Sequence, residues 1–203
     1  MKTISIEVYE AEELSEFAKQ RAHYDWCLET DYDFHQDNKK TLDAFVQIFP
    51  LKIDSYEYGG QGAHIVFSME EGHDDEIAKL SGWRLSTYLW NNYQRQLFKG
   101  KYYNKHKHAS EGLIKYWHRN SNILLERNCV LTGYFLDEYI LGPVYDFLAK
   151  PDEHTTFRDL MRDCLNMWLK TCEADREDFF SLDHFLEEAK EGEWMYKEDG
   201  SKV

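Results

Sequence analysis

Histidines and cysteines are the residues of this chain that could bind a metal or act in acid–base catalysis; there are 9 His and 4 Cys. His106 and His108 flank Lys107, and two imidazoles at this spacing converge on one ion only from a strand, beside lysines that repel a cation. The run 73–76 (HDDE) offers more ligands, but it precedes an expected helix, where acidic side chains suit the positive end of the helix dipole. We therefore predict no metal site and no cofactor.

The signatures of well-known catalytic and phosphate-binding sites are missing from the sequence: it has no GxSxG, HExxH, GxxxxGK[ST] or GxGxxG. The glycine-rich run 59–62 lies between strand-like stretches, so it predicts a hairpin turn rather than a phosphate loop, which opens a helix. Cys164 and Cys172 lie on an apolar helical stripe about 12 Å apart, too far for a disulfide. We therefore do not expect an enzyme.

Acidic residues dominate both ends of the chain. The net charge of −14 divides into −12 over residues 1–77, +6 over residues 78–150 and −8 over residues 151–203. Acidic side chains near the start could imitate spaced phosphates and bind the basic groove of a nuclease, or they could form a solvated face. The candidate partner-binding residues are Glu10, Glu12, Glu13, Glu16, Asp25, Glu29, Asp31, Asp33 and Asp37.

The basic middle of the chain interleaves positive side chains with aromatic rings, a combination typical of single-stranded nucleic-acid binding. The other interpretation is an exposed segment that pairs with the protein's own acidic groups, which the negative net charge favours. The candidate nucleic-acid-binding residues are Arg95, Lys99, Lys101, Tyr102, Tyr103, Lys105, Lys107, Lys115 and Arg119.

Helical spacing positions most of these residues. The first predicted helix begins at Ser15 and turns Phe17, Ala18, Ala22 and Trp26 inward. A helix over 155–173 has eight apolar residues on one face, and a helix over 75–99 is expected to be buried on more than one face. The other predicted helices cover about 38–49, 110–126, 132–149 (interrupted at Gly142-Pro143) and 182–190, with an exposed loop over 99–109.

Alternating apolar and polar residues predict strands over 3–9, 51–58 and 63–69, and a last hairpin over 193–203 that turns at Asp199-Gly200. Together these elements predict an α+β fold in which a small antiparallel or mixed sheet packs against about six or seven helices. The sheet would combine the N-terminal strand, the central hairpin and the C-terminal hairpin. A chain of 203 residues without a linker-like stretch predicts a single domain over 1–203.

The N-terminus has no signal-peptide pattern, and no apolar run approaches the roughly 20 residues that span a bilayer. The cysteines show no paired or metal-ligand spacing, as expected in a reducing compartment. We therefore expect a cytoplasmic protein without membrane contact.

Three blocks of the sequence resemble small acidic proteins of phages and mobile elements, some of which are labelled antitoxins. Residues 8–19 (VYEAEELSEFAK) resemble their YxxxELSxxAK opening, and residues 58–67 (YGGQGAHIVF) resemble their glycine-rich hairpin. Residues 178–183 (DFFSLD) and 193–200 (EWMYKEDG) are similar to their ending. The hairpin departs from the pattern, since Gly60 replaces a serine and an aspartate is absent. The resemblance implies a phage or prophage setting, in which small acidic proteins often inhibit host defence.

Charge and resemblance together predict a phage-type anti-defence protein, an anti-CRISPR or antirestriction inhibitor in the host cytoplasm. It would bind a host nuclease or nucleoprotein effector through its acidic surfaces. The alternative is a nucleic-acid-interacting or antitoxin-like module that uses residues 95–119. Complementary acidic and basic segments also allow a two-fold homodimer.

Overall fold

The computed structural model describes residues 7–59, 62–70, 76–98 and 130–203, together with the backbone of 103–106 and 116–119. Its helices are α1 (Glu16–Glu29), α2 (His35–Ile48), α3 (Gly82–Leu97), α4 (Leu136–Ala149), α5 (Phe157–Phe179) and α6 (Leu182–Glu191), with a short 3₁₀ helix at Ala11–Glu13. Its strands are β1 (Tyr9–Glu10), β2 (Leu51–Glu57), β3 (His64–Met69), β4 (Tyr103–His106), β5 (Tyr116–Arg119) and β6 (Met195–Tyr196). The prediction of a mixed α+β chain is confirmed.

The strands form separate antiparallel pairs. β1 pairs with β6, with Tyr9 opposite Tyr196; β2 pairs with β3 and β4 with β5. The prediction of one sheet that combines the N-terminal strand with both hairpins is therefore wrong for the described residues. β1 and β6 are two residues long, and such short strands have few backbone groups with which to join a larger sheet. The C-terminal turn is confirmed, because Tyr196 bridges to Lys202 and Gly200 has a positive φ of 84°.

The chain divides into two compact units. Unit 1 comprises Met1–Gln36, Tyr58–Gly62 and Cys172–Val203, and unit 2 comprises Asp37–Glu57 and Ala63–Thr171. Two of the four boundaries fall within α2 and α5, and the other two lie on either side of the segment 58–62 between β2 and β3. That these units belong to a single domain stays a prediction.

The core of unit 1 combines small residues of α1 with rings from the C-terminal part of the chain. Ala18 and Ala22 of α1 pack with Phe185 of α6 and Tyr196 of β6. Ser15 caps α1 as predicted, since its hydroxyl accepts a 3.3 Å hydrogen bond from the backbone N–H of Ala18. The prediction that Phe17 turns inward is wrong, because 81% of the accessible surface of this residue is exposed.

Unit 2 is organised around α5. All eight apolar residues of the predicted α5 face are buried, and all but Cys172 belong to unit 2. The indole N–H of Trp168 donates a 3.0 Å hydrogen bond to the carbonyl of Asn38. α3 begins at Gly82, later than predicted, and buries one face only. Trp83 is 70% exposed, so the prediction of a wider buried surface on α3 is wrong.

Two predictions for the basic middle are also wrong in part. Residues 103–106 form β4 instead of a loop, and residues 116–119 form β5 instead of a helix. Both segments contain aromatic side chains, which favour extended backbone in a paired strand. The remaining parts of these predictions, 99–102, 107–115 and 120–126, lie outside the described residues.

α4 continues through Gly142 and Pro143, where a break was predicted. A proline removes one backbone hydrogen bond, but the helix buries Ile140, Leu141 and Val144 on its packed side. Tertiary packing of an apolar face supplies most of the stability of a helix in a protein, which explains why α4 tolerates the proline.

Candidate functional site

The excess negative charge of the molecule is concentrated in unit 1. The ranges of unit 1 contain 20 acidic and 7 basic residues, a net charge of −13, whereas those of unit 2 contain 18 and 17, a net charge of −1. The sequence alone could not reveal this division, because the acidic residues of unit 1 come from two stretches more than 130 residues apart. Unit 1 is therefore the acidic part of the fold.

The first four predicted acidic site residues lie around the start of α1, and all four are exposed. The carboxylate of Glu13 accepts a 3.0 Å hydrogen bond from the backbone N–H of Glu10. Glu12 lies 3.4 Å from the Lys190 ammonium, and Glu16 in the first turn of α1 lies 3.6 Å from Lys19. Exposed ion pairs of this kind are weak, so these carboxylates are available to a partner.

The other predicted acidic residues lie farther along the chain. Asp25 and Glu29 lie in the second half of α1, and the rise of the helix separates Glu16 from Glu29 by about 20 Å. Asp31 and Asp33 are exposed in the connection that follows. The structure thus places eight of the nine residues in unit 1, where they are spread along α1 and around more than one side of it rather than gathered in one cluster.

Asp37 is the exception, because it belongs to unit 2. It lies in the first turn of α2, 2.7 Å from the Lys40 ammonium. That hydrogen bond lowers the pKa of Asp37 below its ordinary value. Asp37 therefore has a local role in α2.

An apolar stripe runs along the outside of α1. We define the α1 stripe as Phe17, Tyr24 and Leu28, which are 81%, 63% and 68% exposed. Their spacing of seven and four residues places them on one line of the helix. Sequence analysis missed this feature, because a large apolar residue at a helical spacing is normally taken as part of the core.

A pocket of about 270 Å³ adjoins this stripe in unit 1, and we call it the Lys202 pocket. Leu28 contributes to its lining, together with the carboxylates of Asp25 and Glu29. Within it, the Lys202 ammonium lies 3.2 Å from the centre of the Trp194 ring, a cation–π contact. Partial burial lowers the pKa of Lys202, while the negative charge of Glu29 favours its charged form.

A second pocket of unit 1, of about 390 Å³, is lined by both apolar and charged residues. Leu186, Trp194 and Met195 are among the apolar residues, and Glu12 and Lys190 are among the charged ones. Unit 1 therefore offers acidic groups beside concave apolar surface, an arrangement suited to side chains that are both apolar and basic.

The three cysteines in the described part of the chain are Cys27, Cys164 and Cys172, and each has a raised thiol pKa. Burial raises the pKa of Cys164 and of Cys172, and burial outweighs the nearby Arg176 to raise the pKa of Cys27. A thiol with a raised pKa is a poor nucleophile at neutral pH. Among the described residues, no group of three or more His, Cys, Asp or Glu side chains could hold a metal ion.

The alternative nucleic-acid-binding residues are only partly described. Arg95 is exposed in the last turn of α3, and the register of the β4–β5 pair places Tyr103 opposite Arg119 and Lys105 opposite Trp117. The predicted residues Lys99, Lys101, Tyr102, Lys107 and Lys115 lie outside the described residues, as does most of the His106–His108 segment.

Comparison with known proteins found no matching family model, no matching curated protein and no matching solved structure. The relation to phage and mobile-element proteins thus stays a prediction based on the three sequence blocks. Within the parts of the chain described above, no helix combines the length and apolar character required to cross a membrane.

Proposed function

We propose that this protein is a phage-type anti-defence inhibitor that binds a basic surface of a host nuclease or nucleoprotein effector through unit 1. The main support is the concentration of charge, −13 in unit 1 against −1 in unit 2. The phage setting, and with it a site of action in the host cytoplasm, is supported by the sequence resemblance alone.

Electrostatics favour this class of partner. A nuclease binds phosphates in a groove lined with lysine and arginine, and an acidic protein surface is attracted to the same groove. The exposed carboxylates of α1 are spread over about 20 Å of the helix, from Glu16 to Glu29, and those of Asp31 and Asp33 follow it, so several basic side chains could contact them. The same field repels nucleic acid and anionic membranes from unit 1.

A phage plating assay tests the proposal directly. Expression of the protein in bacteria with an active CRISPR or restriction system should raise the plaque count of a targeted phage. Replacing Glu12, Asp31 and Asp33 with lysine should abolish this effect, because it reverses charge at three exposed positions of unit 1. The matched control replaces Glu70, Glu153 and Asp163, which are exposed in unit 2, and should retain protection. Equal loss in both triple variants, or no protection by the wild type in any system, contradicts the proposal.

A second candidate function is nucleic-acid binding by residues 95–119. Its support is the register of β4 and β5, which pairs an aromatic residue with a basic one at Tyr103–Arg119 and at Lys105–Trp117. Aromatic and basic residues together bind single strands by stacking and charge. Gel-shift titration at low salt should then give a shift that Lys105→Glu and Arg119→Glu abolish. No shift with single- or double-stranded DNA or RNA rules this candidate out.

A further inference from the structure

We propose that the α1 stripe and the adjoining Lys202 pocket form a docking site for an amphipathic segment of a partner, whose apolar side chains are bordered by lysine or arginine. This inference rests on the proposed function, since it names the feature of the partner that unit 1 recognises. The two parts of the site meet at Leu28, which belongs to the stripe and also lines the pocket.

The stripe is separate from the packed side of α1. At about 100° per residue, Phe17, Tyr24 and Leu28 fall within about 40° of one another around the helix axis. Ala18 and Ala22 lie on another side of the helix and are buried in the core of unit 1. α1 thus packs through two alanines and the half-buried Trp26, while Phe17, Tyr24 and Leu28 face away from the core. Large apolar side chains exposed on one side of a helix are a feature of binding surfaces.

The charges around the stripe select a basic partner. Arg21 lies between Phe17 and Tyr24 and is a cation near the stripe. Its guanidinium binds another part of unit 1, since it contacts the Asp199 carboxylate at 3.1 Å and the Asp199 carbonyl at 3.2 Å. Glu16 and Asp25 flank the stripe on either side, and each lies in an exposed ion pair, Glu16 with Lys19 at 3.6 Å and Asp25 with Arg21 at 3.9 Å. Exposed pairs of this kind are weak, so a basic partner can compete for both carboxylates. Apolar contact supplies affinity in such an interface, while the charged border selects the partner.

The Lys202 pocket shows which chemistry this end of the stripe accepts. The ammonium group of Lys202 lies against the Trp194 ring, and Asp25 and Glu29 also line the pocket. A lysine or arginine of the partner would have to displace the Lys202 ammonium, a like charge, to bind to the same groups. The unit 1 of a second copy is a poor occupant, since it carries the same net charge of −13 and would be repelled.

A designed peptide provides the probe. It is a helix of about 18 leucine and lysine residues with all leucines on one face, and the control peptide has the same composition with leucines spread around the helix. Isothermal titration calorimetry should give tighter binding of the patterned peptide by about tenfold. The double variant Phe17→Ser, Leu28→Ser should weaken that binding by about tenfold, as expected for loss of central apolar contacts. The matched variant Val66→Ser, Met167→Ser, at exposed apolar positions of unit 2, should bind like the wild type.

The outcomes separate this inference from the proposed function. Equal binding of the two peptides, or no effect of Phe17→Ser, Leu28→Ser, overturns the docking site but leaves charge-based binding intact. Failure of the wild type to bind either lysine-rich peptide overturns both. Light scattering adds a further test, since a wild-type dimer that becomes monomeric in the double variant would mean that a second copy covers the stripe. Loss of the folded circular-dichroism signal in the double variant would mean that Phe17 and Leu28 are needed for folding, and would also overturn the site. The single variant Tyr24→Ser repeats the binding test with a smaller change.

Discussion

The hydroxyl of Thr132 donates a 2.7 Å hydrogen bond to the fully buried carboxylate of Asp137. The same carboxylate accepts the backbone N–H groups of Leu131, Thr132 and Gly133 at 2.9, 2.7 and 3.0 Å, and the hydroxyl of Thr41 at 3.4 Å. It also lies in the first turn of α4, where the helix dipole favours negative charge. A buried charge is stable in a protein when it is hydrogen-bonded in this way.

We expect Asp137→Asn to lower the free energy of unfolding by about 3 kcal/mol, because an amide has one acceptor oxygen and leaves buried N–H donors without partners. Urea denaturation followed by circular dichroism measures the change. Asp163→Asn, at an exposed position of α5, is the control and should alter stability by less than about 0.5 kcal/mol. Equal midpoints for the two variants would show that the Asp137 network contributes little.

Gly200 should be the least replaceable glycine of unit 1. Its φ is +84°, and a β-carbon there would collide with the backbone carbonyl of Ala18. Gly200→Ala therefore combines backbone strain with a clash against a helix that cannot move easily, and should cost about 2 kcal/mol or more. Thermal denaturation measures the loss.

Two other glycines provide matched controls for this substitution. Gly133 has a φ of +92° but open space around it, so Gly133→Ala isolates the backbone strain and should cost about 1 kcal/mol. Gly142 has neither constraint and lies inside α4, but it precedes Pro143, whose ring crowds a β-carbon at a helical residue before it, so Gly142→Ala should give no net gain in stability. A Gly200→Ala variant no less stable than Gly133→Ala would contradict the close approach to Ala18.

The sequence predicted α5 and the central hairpin well because each is determined locally. The apolar residues of α5 repeat with helical spacing along one continuous segment, and Gly59 supplies the positive φ that the turn after β2 requires. Periodicity failed for Phe17, since it locates an apolar position on a helix but does not indicate which side packs. The small residues Ala18 and Ala22 allow the close packing, and their role depends on Phe185 and Tyr196 far along the chain.

The candidate site was predictable as a set of residue types but not as a surface. Glu12 and Asp31 were identified from the charge pattern, and both are exposed. Their inclusion with the C-terminal acids in one compact unit depends on long-range pairing such as that of β1 with β6, which no local pattern predicts. For the same reason, Trp194 and the pockets beside it were missed.

Asp199 should make stability depend on pH under acidic conditions. Hydrogen bonds from the hydroxyl and backbone N–H of Ser201, helped by the charge of Arg21, lower the pKa of Asp199 from 3.8 to about 2. A lowered pKa in the folded state stabilises the protein above pH 3.8, and this contribution is lost as the pH falls towards 2. Above pH 3.8 the wild type should therefore melt at a higher temperature than Asp199→Asn. The two melting temperatures should converge as the pH falls towards 2.

Glu198→Gln, at the neighbouring exposed position, is the control for general loss of negative charge in this turn. It should follow the wild-type curve through the acidic window. If Asp199→Asn also follows the wild-type curve, the hydrogen bonds from Ser201 do not distinguish the charged from the neutral carboxyl group.

Two phenylalanines of unit 1 test the direction in which α1 packs. Phe185 is fully buried, with its ring centre 5.6 Å from that of Trp26 and 6.2 Å from that of Tyr196, whereas Phe17 is 81% exposed. Phe185→Ala should cost about 3–5 kcal/mol, because it removes apolar contacts and leaves a cavity. Phe17→Ala should change stability by less than about 0.5 kcal/mol, since the side chain contributes little to the core. Urea denaturation of both variants measures the change in the free energy of unfolding. A large loss of stability for Phe17→Ala would mean that α1 packs through the side that sequence periodicity alone predicted.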